Sequence, residues 1–437
     1  MSVRKRRSLL AVLTAAVLLL SWGIVTPAAA EPATTVAYSN AASATRYTGL
    51  AFDTCTAPTV AQLTAWKASP YRGVGIYIGG ANRSCAQPQL TSSWVTTVSR
   101  LGWRLIPIYM GPQAPCTFRA NAVKISASTA ATQGRNAAAD AVAKAKALGI
   151  VGGSAIYGDM EHYDATNTSC RSAVLTFLSA WTKELHRVGY LSGVYAHLNS
   201  GAQHLTQVYN STSYARPDAL WIARWDLSSA LTGWSGIPNA YWAVNQRAKQ
   251  YRGDHNETYG GVTLNIDNDR FDAPVATVAY PYTVTSTTSL NARSAPSTSA
   301  SVVTSFAPKS TVRVICQTFG SKVGTTTVWN KLTNGAYVTD YYVSTPSNTT
   351  YSAPLPYCTL PYQTKAGGLS KRTGPGLSYK IVGSQSIGSL AWITCQRSGS
   401  KVGTSSIWDR LVDGTWTIDY YVATPSNTTY SYPIRRC

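Results

Sequence analysis

Two copies of one short sequence close this 437-residue chain, and they constrain what its last third can be. The copies are offset by a constant 79 residues with no insertion. Cys316 matches Cys395, Cys358 matches Cys437, Trp329 matches Trp408, and Asp340-Tyr341-Tyr342 matches Asp419-Tyr420-Tyr421. GSKVGT at 320–325 returns at 399–404, and TPSNTTY at 345–351 returns at 424–430. A period this long makes two small domains, each with its own core, in place of a solenoid. Short Val/Ile/Thr/Tyr runs punctuated by Gly, Ser, Pro and Asn read as strands. Each copy holds one cysteine pair 42 residues apart, Cys316 with Cys358 and Cys395 with Cys437, which reads as a staple for a small core.

The order LNARSAPSTSASVV, VICQ, WNKL, AYVTDYYV, repeated as LSKRTGPGLSYKIV, ITCQ, WDRL, WTIDYYV, resembles a bacterial SH3-like domain. That resemblance implies binding of cell-wall peptide or glycan. Tyr341, Tyr342, Tyr420 and Tyr421 are candidate contacts, although tyrosines alternating on a strand are more often half-buried packing.

The opposite end reads as an export signal. Arg4, Lys5, Arg6 and Arg7 precede an apolar run from Leu9 to Leu20, and Ala28-x-Ala30 suits signal peptidase. Arg6-Arg7-Ser8-Leu9-Leu10 fits a twin-arginine signal loosely, with a general Sec signal as the alternative. A secreted or wall-associated protein is expected, with no stable membrane anchor. The eight cysteines after the signal then imply disulfides. Cys55 with Cys85 and Cys116 with Cys170 is the preferred pairing, because the first pair joins adjacent loops. Four cysteines allow three pairings, and sequence does not choose. No Cys-x-x-Cys or His-x-x-x-His spacing suggests a metal site, and no cofactor is implied. Residues 284–437 carry 14 Lys/Arg against 4 Asp/Glu, a balance suited to an anionic wall polymer more than to nucleic acid, or simply to a solvated surface.

Between these ends, strand-like and helix-like segments alternate. YTGLAFDTC, RGVGIYIGG, RLIPIYMG, SAIYGDMEHY, LSGVYAHLN, ALWIARWD, YWAVNQ and VTLNIDND read as eight strands. Long helices are expected to end at Gly149 and Gly189. The pattern argues a parallel (β/α)8 barrel. A doubly wound sheet is the rival, without a Gly-rich phosphate loop to support it. The expected boundaries are a signal at 1–30, a linker at 31–46, the barrel at 47–273, a linker at 274–283, and repeats at 284–358 and 359–437.

Chemistry in such barrels gathers at the C-terminal ends of the strands. Of 13 carboxylates between Tyr47 and Asp272, six fall there: Asp53, Asp159, Glu161, Asp226, Asp267 and Asp269. Residues two apart on a strand share a face, so Asp159 and Glu161 both project into the mouth. Repulsion and partial burial then raise one pKa and supply a proton donor near neutral pH. Glycoside hydrolysis needs such an acid with an ionised partner. Trp103, Tyr109, Tyr163, Tyr195, Trp221, Trp225 and Trp242 suit stacking against sugar rings. The plainer reading has these carboxylates capping helices or pairing with Arg224 and Arg252.

GLAFDTC, VGIYIGG, GWRLIPIYMG, GSAIYGDMEHY, GYLSGVYAH, LWIARWD and ETYGGVTLNIDND together resemble the glycoside-hydrolase-like domain of unknown function of secreted actinobacterial proteins. That domain is similar to family 25 lysozymes, which cleave peptidoglycan glycan between N-acetylmuramic acid and N-acetylglucosamine. The resemblance implies Glu161 as general acid and Asp159 orienting the substrate acetamido group as it attacks the anomeric carbon. Asp53 and Asp267 would hold the site's charge and hydrogen bonds. Asp226, Tyr109, Tyr195, Trp225, Gln250 and Tyr251 are candidate substrate contacts. Lys249 stands where the lysozymes have tryptophan before Gln-Tyr, and Gly158 where a bulkier residue is usual. The expected protein is a monomeric muramidase-type hydrolase with cell-wall polysaccharide as its partner. The alternative is a non-catalytic wall-binding protein on the same fold.

Overall fold

The computed structural model describes residues 45–437 apart from 244, 412, 413, 432, 433 and 435, so the expected signal segment lies outside the described residues. A closed barrel is formed by β1 (Arg46–Asp53), β2 (Gly73–Gly79), β3 (Arg104–Tyr109), β4 (Ala155–Met160), β5 (Leu191–His197), β6 (Ala219–Ala223), β7 (Arg247–Tyr259) and β8 (Val262–Pro274). Helices α1 (Val60–Ala65), α2 (Ser92–Arg100), α3 (Ala130–Ala147), α4 (Thr168–Arg187) and α5 (Gln203–Gln207) pack outside it. Gly149 and Gly189, at φ 78° and 79°, take the left-handed conformation just past the ends of α3 and α4.

The barrel fold class is the expected one, with two differences. First, β8 runs antiparallel to both β7 and β1. Gly260 and Gly261, at φ 56° and 77°, close a tight hairpin where a helical crossover would be needed for a parallel partner. Second, YWAVNQ is not the seventh strand. Trp242 and Asn245 sit at φ 48° and 52°, which breaks an extended run, and the Trp242 indole is buried with a hydrogen bond to the Pro217 carbonyl. Its aromatic character reflects burial in a turn; the strand is the more polar run from Arg247.

Two apolar layers position the mouth. Inside the strands, Ile106, Ile108, Tyr157, Trp221, Ala248 and Phe271 fill the barrel. Tyr157 reaches its centre because its neighbour is Gly193, where a methyl group would overlap the ring. Outside, the strands pack on the helices through Phe52, Trp66, Val98, Trp103, Val174 and Trp181, among others. The plug closes the cylinder, so a ligand can enter only above it.

Two antiparallel six-stranded sheets follow. The first has order β11-β10-β14-β13-β12-β9, from β9 (Tyr280–Thr283), β10 (Leu290–Arg293), β11 (Val302–Phe306), β12 (Thr311–Val323), β13 (Thr326–Leu332) and β14 (Tyr337–Thr339). The second has order β15-β18-β19-β20-β16-β17, from β15 (Leu360–Gln363), β16 (Leu369–Arg372), β17 (Ile381–Gln385), β18 (Leu390–Val402), β19 (Ser405–Leu411) and β20 (Trp416–Ile418). Residues 280–283, expected as linker, are therefore a strand of the first sheet, paired with β12. The constant offset also fails at this strand. Thr283 pairs with Thr311 and Gln363 with Leu390, so the first strand of the second copy is displaced by one further residue. The paired tyrosines Tyr341–Tyr342 and Tyr420–Tyr421 lie on 3-10 turns, not strands, as half-exposed edge-to-face pairs at 4.8 Å.

The first unit is fused to the barrel. Tyr280 and Tyr282 share the barrel's outer apolar cluster, and the Arg100 guanidinium from α2 lies over both rings at 5.9 and 5.5 Å. The second unit has a separate apolar cluster. Disulfides join Cys55 to Cys85, Cys116 to Cys170, Cys316 to Cys358 and Cys395 to Cys437.

The two copies differ in one buried polar pair. In the first, Gln317 donates to Asn330 and Asp340, and Asn330 Nδ2 donates to Asp340 at 2.7 Å. In the second, Asp409 replaces the asparagine, and two carboxyls face each other under Gln396. Burial and the Asp419 charge push the Asp409 carboxyl well above the usual carboxylate range. The folded unit thus needs a proton that the unfolded chain releases in mild acid. Stability from this site is present at low pH and is lost as pH rises past the ordinary aspartate range. Asp409→Asn is expected to stabilise the second unit at pH 8 and to leave it nearly unchanged at pH 4, with about 1.4 kcal/mol for each tenfold difference in proton affinity. Denaturant unfolding at the two pH values checks this; an equal effect at both contradicts it.

Candidate active site

Strand register brings the acids together. Asp53, the last residue of β1, lies opposite Asp267 of β8, and Ala51 lies opposite Asp269. On the far side, Asp159 of β4 pairs with Tyr195 of β5, which pairs with Trp221 of β6. Gln250 of β7 joins the arcs. Its Nε2 donates to Asp53 at 2.9 Å and Asp267 at 3.1 Å, while its Oε1 accepts from the Tyr195 hydroxyl at 2.9 Å and the Trp225 indole at 2.8 Å. A single amide therefore spaces two acids and orients two aromatics.

Burial sets the protonation of this cluster. Asp53 is pushed up to about 7, first by burial and then by the Asp267 charge, against hydrogen bonds from Gln250 and Tyr77. Asp269 is fully buried below it, held by the Trp221 indole at 3.1 Å, and its carboxyl is raised well above the usual range by burial and by Asp53. Asp159 is raised by burial, then by Glu161 and Asp53. Glu161 is raised by burial, offset by Arg119, whose guanidinium lies 3.1 Å away. Asp267 is raised by burial against a hydrogen bond from the Asp254 amide.

Gln113, fully buried in the loop after β3, holds the end of β4 like an added strand residue. Its Nε2 donates to the Asp159 carbonyl at 2.8 Å and its Oε1 accepts from the Glu161 amide at 2.9 Å. The same loop carries Arg119. It is tied down by the Cys116–Cys170 disulfide to α4 and by a Thr117–Tyr163 bridge beside Glu161.

Glu161 stands between two open clefts. One, about 240 Å³, is lined by Asp53, Asp267, Tyr77, Arg83 and Arg119 and floored by the Cys55–Cys85 disulfide. The other, about 310 Å³, is lined by Tyr195, His197, Trp225, Arg224 and Gln250. His197 stacks on His162 at 4.1 Å, and Phe118 meets His162 edge-on. Trp225, 59% exposed, lies flat on the backbone of Gly253 in the β7–β8 hairpin. A methyl group at 253 would overlap its ring. Gly253→Ala should therefore shift Trp225 emission to longer wavelength and weaken glycan binding several-fold; unchanged emission and affinity contradict this seat for the ring.

The expected site residues thus divide. Asp53, Asp159, Glu161, Asp267, Tyr195, Trp225 and Gln250 come together. Tyr109 does not. It follows Ile108, which points into the barrel, so its ring points outward to Trp181 and its hydroxyl donates to Asp140 on α3. Trp103, Tyr163 and Trp242 are likewise core residues, bonded to Leu63, His204 and Pro217. Trp221 supports the site from inside the plug. Tyr251 neighbours Glu257 and Tyr259 and lines neither cleft. Asp226 follows the plainer reading: it is paired with Lys249 at 2.6 Å and Arg224 at 3.0 Å, and although burial opposes it, the Lys249 bond holds its carboxyl below the usual range. Lys249 is consumed in that pair. Gly158 faces the Trp181 indole of α4, which takes the volume of a larger side chain. Sequence reasoning missed Gln113, Arg119 and Tyr77, and passed over His197 because it shows no metal-ligand spacing. Among the described residues no His/Cys/Asp/Glu group is arranged to hold a metal ion.

This cradle of acids falls largely within one recognised domain. Residues 64–271 match the Rv2525c-like, glycoside hydrolase-like domain family. The matched range of the Rv2525c-like domain includes Asp159, Glu161, Gln250 and Asp267 and begins after Asp53. No curated protein matches the chain. Solved structures similar to it include the Tat-secreted protein Rv2525c of Mycobacterium tuberculosis in complex with L-tartrate (16% identity, 52% of this chain, 96% of that chain, TM-score 0.37). An uncharacterized protein of B. stearothermophilus aligns with 17% identity over 51% of this chain and 95% of that one, TM-score 0.36. The catalytic domain of endolysin ply40 from bacteriophage P40 of Listeria monocytogenes aligns with 14% identity over 52% and 94%, TM-score 0.34.

Proposed function

We propose that the Rv2525c-like domain hydrolyses peptidoglycan glycan strands in the muramidase manner, and that the two C-terminal units are SH3-like modules that hold it on the wall after export. The observation that carries this is the placement of Glu161. It is a half-exposed carboxyl between two clefts, with buried Asp159 on the same strand face and Asp53 and Asp267 bridged by one amide. Burial pushes both carboxyls up and the Glu161 charge pushes Asp159 further, so the pair supplies one acid and one ionised partner. Glu161, reachable from both clefts, protonates the glycosidic oxygen. Asp159 Oδ1 is buried with no hydrogen-bond partner, so it is a ready acceptor for an acetamido N–H. Trp225 and Tyr195 present faces to sugar rings. The four disulfides fit an oxidising compartment outside the cytosol.

Purified protein added to insoluble peptidoglycan is expected to release reducing ends. If it pellets with the wall and releases none, the binding-protein reading replaces this one. Modules fused to a wall enzyme raise its effective concentration on the substrate. Deleting the second unit, whose apolar core is separate, is therefore expected to weaken wall pelleting more than turnover of soluble fragments.

A further inference from the structure

Hydrolysis as proposed needs the proton on Glu161 and the charge on Asp159. The structure has the reverse arrangement. Glu161 is ion-paired to Arg119 at 3.1 Å, which favours its carboxylate. Asp159 is 4% exposed and its Oδ1 meets no donor, which favours its neutral acid. Something must draw Arg119 away before Glu161 can act. Arg119 is on the rim of the acid-lined cleft, its side chain 43% exposed, on a loop fixed by a disulfide. Arg83 lines the same cleft, exposed, and makes no ion pair with a protein carboxylate among the described residues. Two guanidinium groups thus face one cleft with one carboxylate partner between them. Asp53, Asp254 and Asp267 line it too; burial pushes Asp53 up to about 7 and raises Asp267, and Asp254 already accepts from the Asn265 amide at 3.2 Å.

We propose that Arg119 and Arg83 form a recognition site for a carboxylate carried by the sugar, and that Arg119 changes partner from Glu161 to that carboxylate when the glycan binds. The exchange couples selection to chemistry. Only an anionic sugar releases Glu161, which then takes up, through solvent, the proton that Asp159 gives up, so that Asp159 carries the charge beside the acetamido group. A neutral glycan leaves the Arg119–Glu161 pair closed. The ligand class is a sugar with a carboxylate on its ring or on an ether substituent. The catalytic half of the proposal rests on the hydrolase reading; the binding half does not.

The test is equilibrium binding to the full chain at pH 7 by ligand-observed NMR, with two matched pairs: N-acetylmuramic acid against N-acetylglucosamine, and glucuronate against glucose. Wild type should prefer the charged member of at least one pair by roughly fivefold, the usual worth of a partly exposed ion pair. Preference in the first pair alone assigns the subsite to an ether-linked carboxylate; preference in both assigns it to sugar carboxylates generally. Arg119→Ala should reduce the preference to within twofold, and Arg119→Lys should restore part of it. Glu161→Gln, which frees Arg119 without removing it, should widen it. Equal affinities in wild type, or a preference that survives the Arg83→Ala, Arg119→Ala double variant, overturn the proposal. Both arginines are exposed, so these variants are expected to keep the wild-type circular dichroism. Wild type that discriminates but releases no reducing ends keeps the recognition site and removes only the hydrolase reading.

Discussion

Glu161→Gln should reduce the release of reducing ends from peptidoglycan by 100-fold or more, in line with the roughly 10²–10⁴-fold contribution of a positioned general acid. The amide keeps the shape but gives up the charge that pairs with Arg119, and it carries no transferable proton. The side chain is half-exposed and its backbone is held by Gln113, so the variant should unfold at the wild-type temperature. Asp159→Asn should also be severe, because it removes the group that takes charge beside the acetamido nitrogen. A mutant that retains more than a third of wild-type turnover, with its fold intact, would place the proton donor elsewhere. Asp226 is the control. It is committed to Lys249 and Arg224 at the rim, and Asp226→Asn should leave turnover within a few-fold.

Asp53→Asn should have the opposite signs for stability and activity. Asp53 is fully enclosed and its carboxyl is pushed up to about 7 from an ordinary value of 3.8. The folded barrel prefers the protonated form, whereas the unfolded chain ionises it in mild acid. Its contribution is therefore fully present below pH 4, is lost as pH rises from about 4 to about 7, and stays lost above that. The loss amounts to an order of magnitude of 4 kcal/mol by the conversion of proton affinity into free energy. Asparagine mimics the neutral acid: it has no charge to bury, and its oxygen accepts from Gln250. Denaturant unfolding should show the variant several kcal/mol more stable than wild type at pH 8 and about equal to it at pH 4, with much weaker glycan cleavage. Parallel stability curves would mean that Asp53 binds its proton no more tightly in the folded protein than in the unfolded chain. The barrel thus carries its acids at a cost in stability, the usual relation between a strained site and its scaffold.

How far the residues themselves announced this site depends on strand periodicity. Asp159-x-Glu161 and Asp267-x-Asp269 are visible because two-residue spacing on a strand forces a shared face, and apolar runs before them mark the strand ends. The same rule explains the error at Tyr109: one step of register turns an aromatic from the mouth to the helix layer. YWAVNQ misled because a buried turn and a buried strand have the same apolar composition, and only the positive φ angles of Trp242 and Asn245 separate them. Gln113 and Arg119 were not legible. They sit in a loop of no periodicity, and their reach to β4 depends on the Cys116–Cys170 link and the Thr117–Tyr163 bridge, contacts made between segments distant in sequence. In the C-terminal third the repeat made the two sheets evident, but the one-residue displacement of the first strand lies in a stretch where the copies no longer match.

The identity of the newly formed chain end tests the central claim most directly. Wild-type protein is incubated with insoluble peptidoglycan, the digest is reduced with borohydride, and the fragments are sequenced by mass spectrometry. A muramidase acting through Glu161 and Asp159 predicts reduced N-acetylmuramic acid at the new ends, absent from the Glu161→Gln digest. New ends on N-acetylglucosamine, cleavage in the stem peptide, or a digest indistinguishable from buffer would each contradict it.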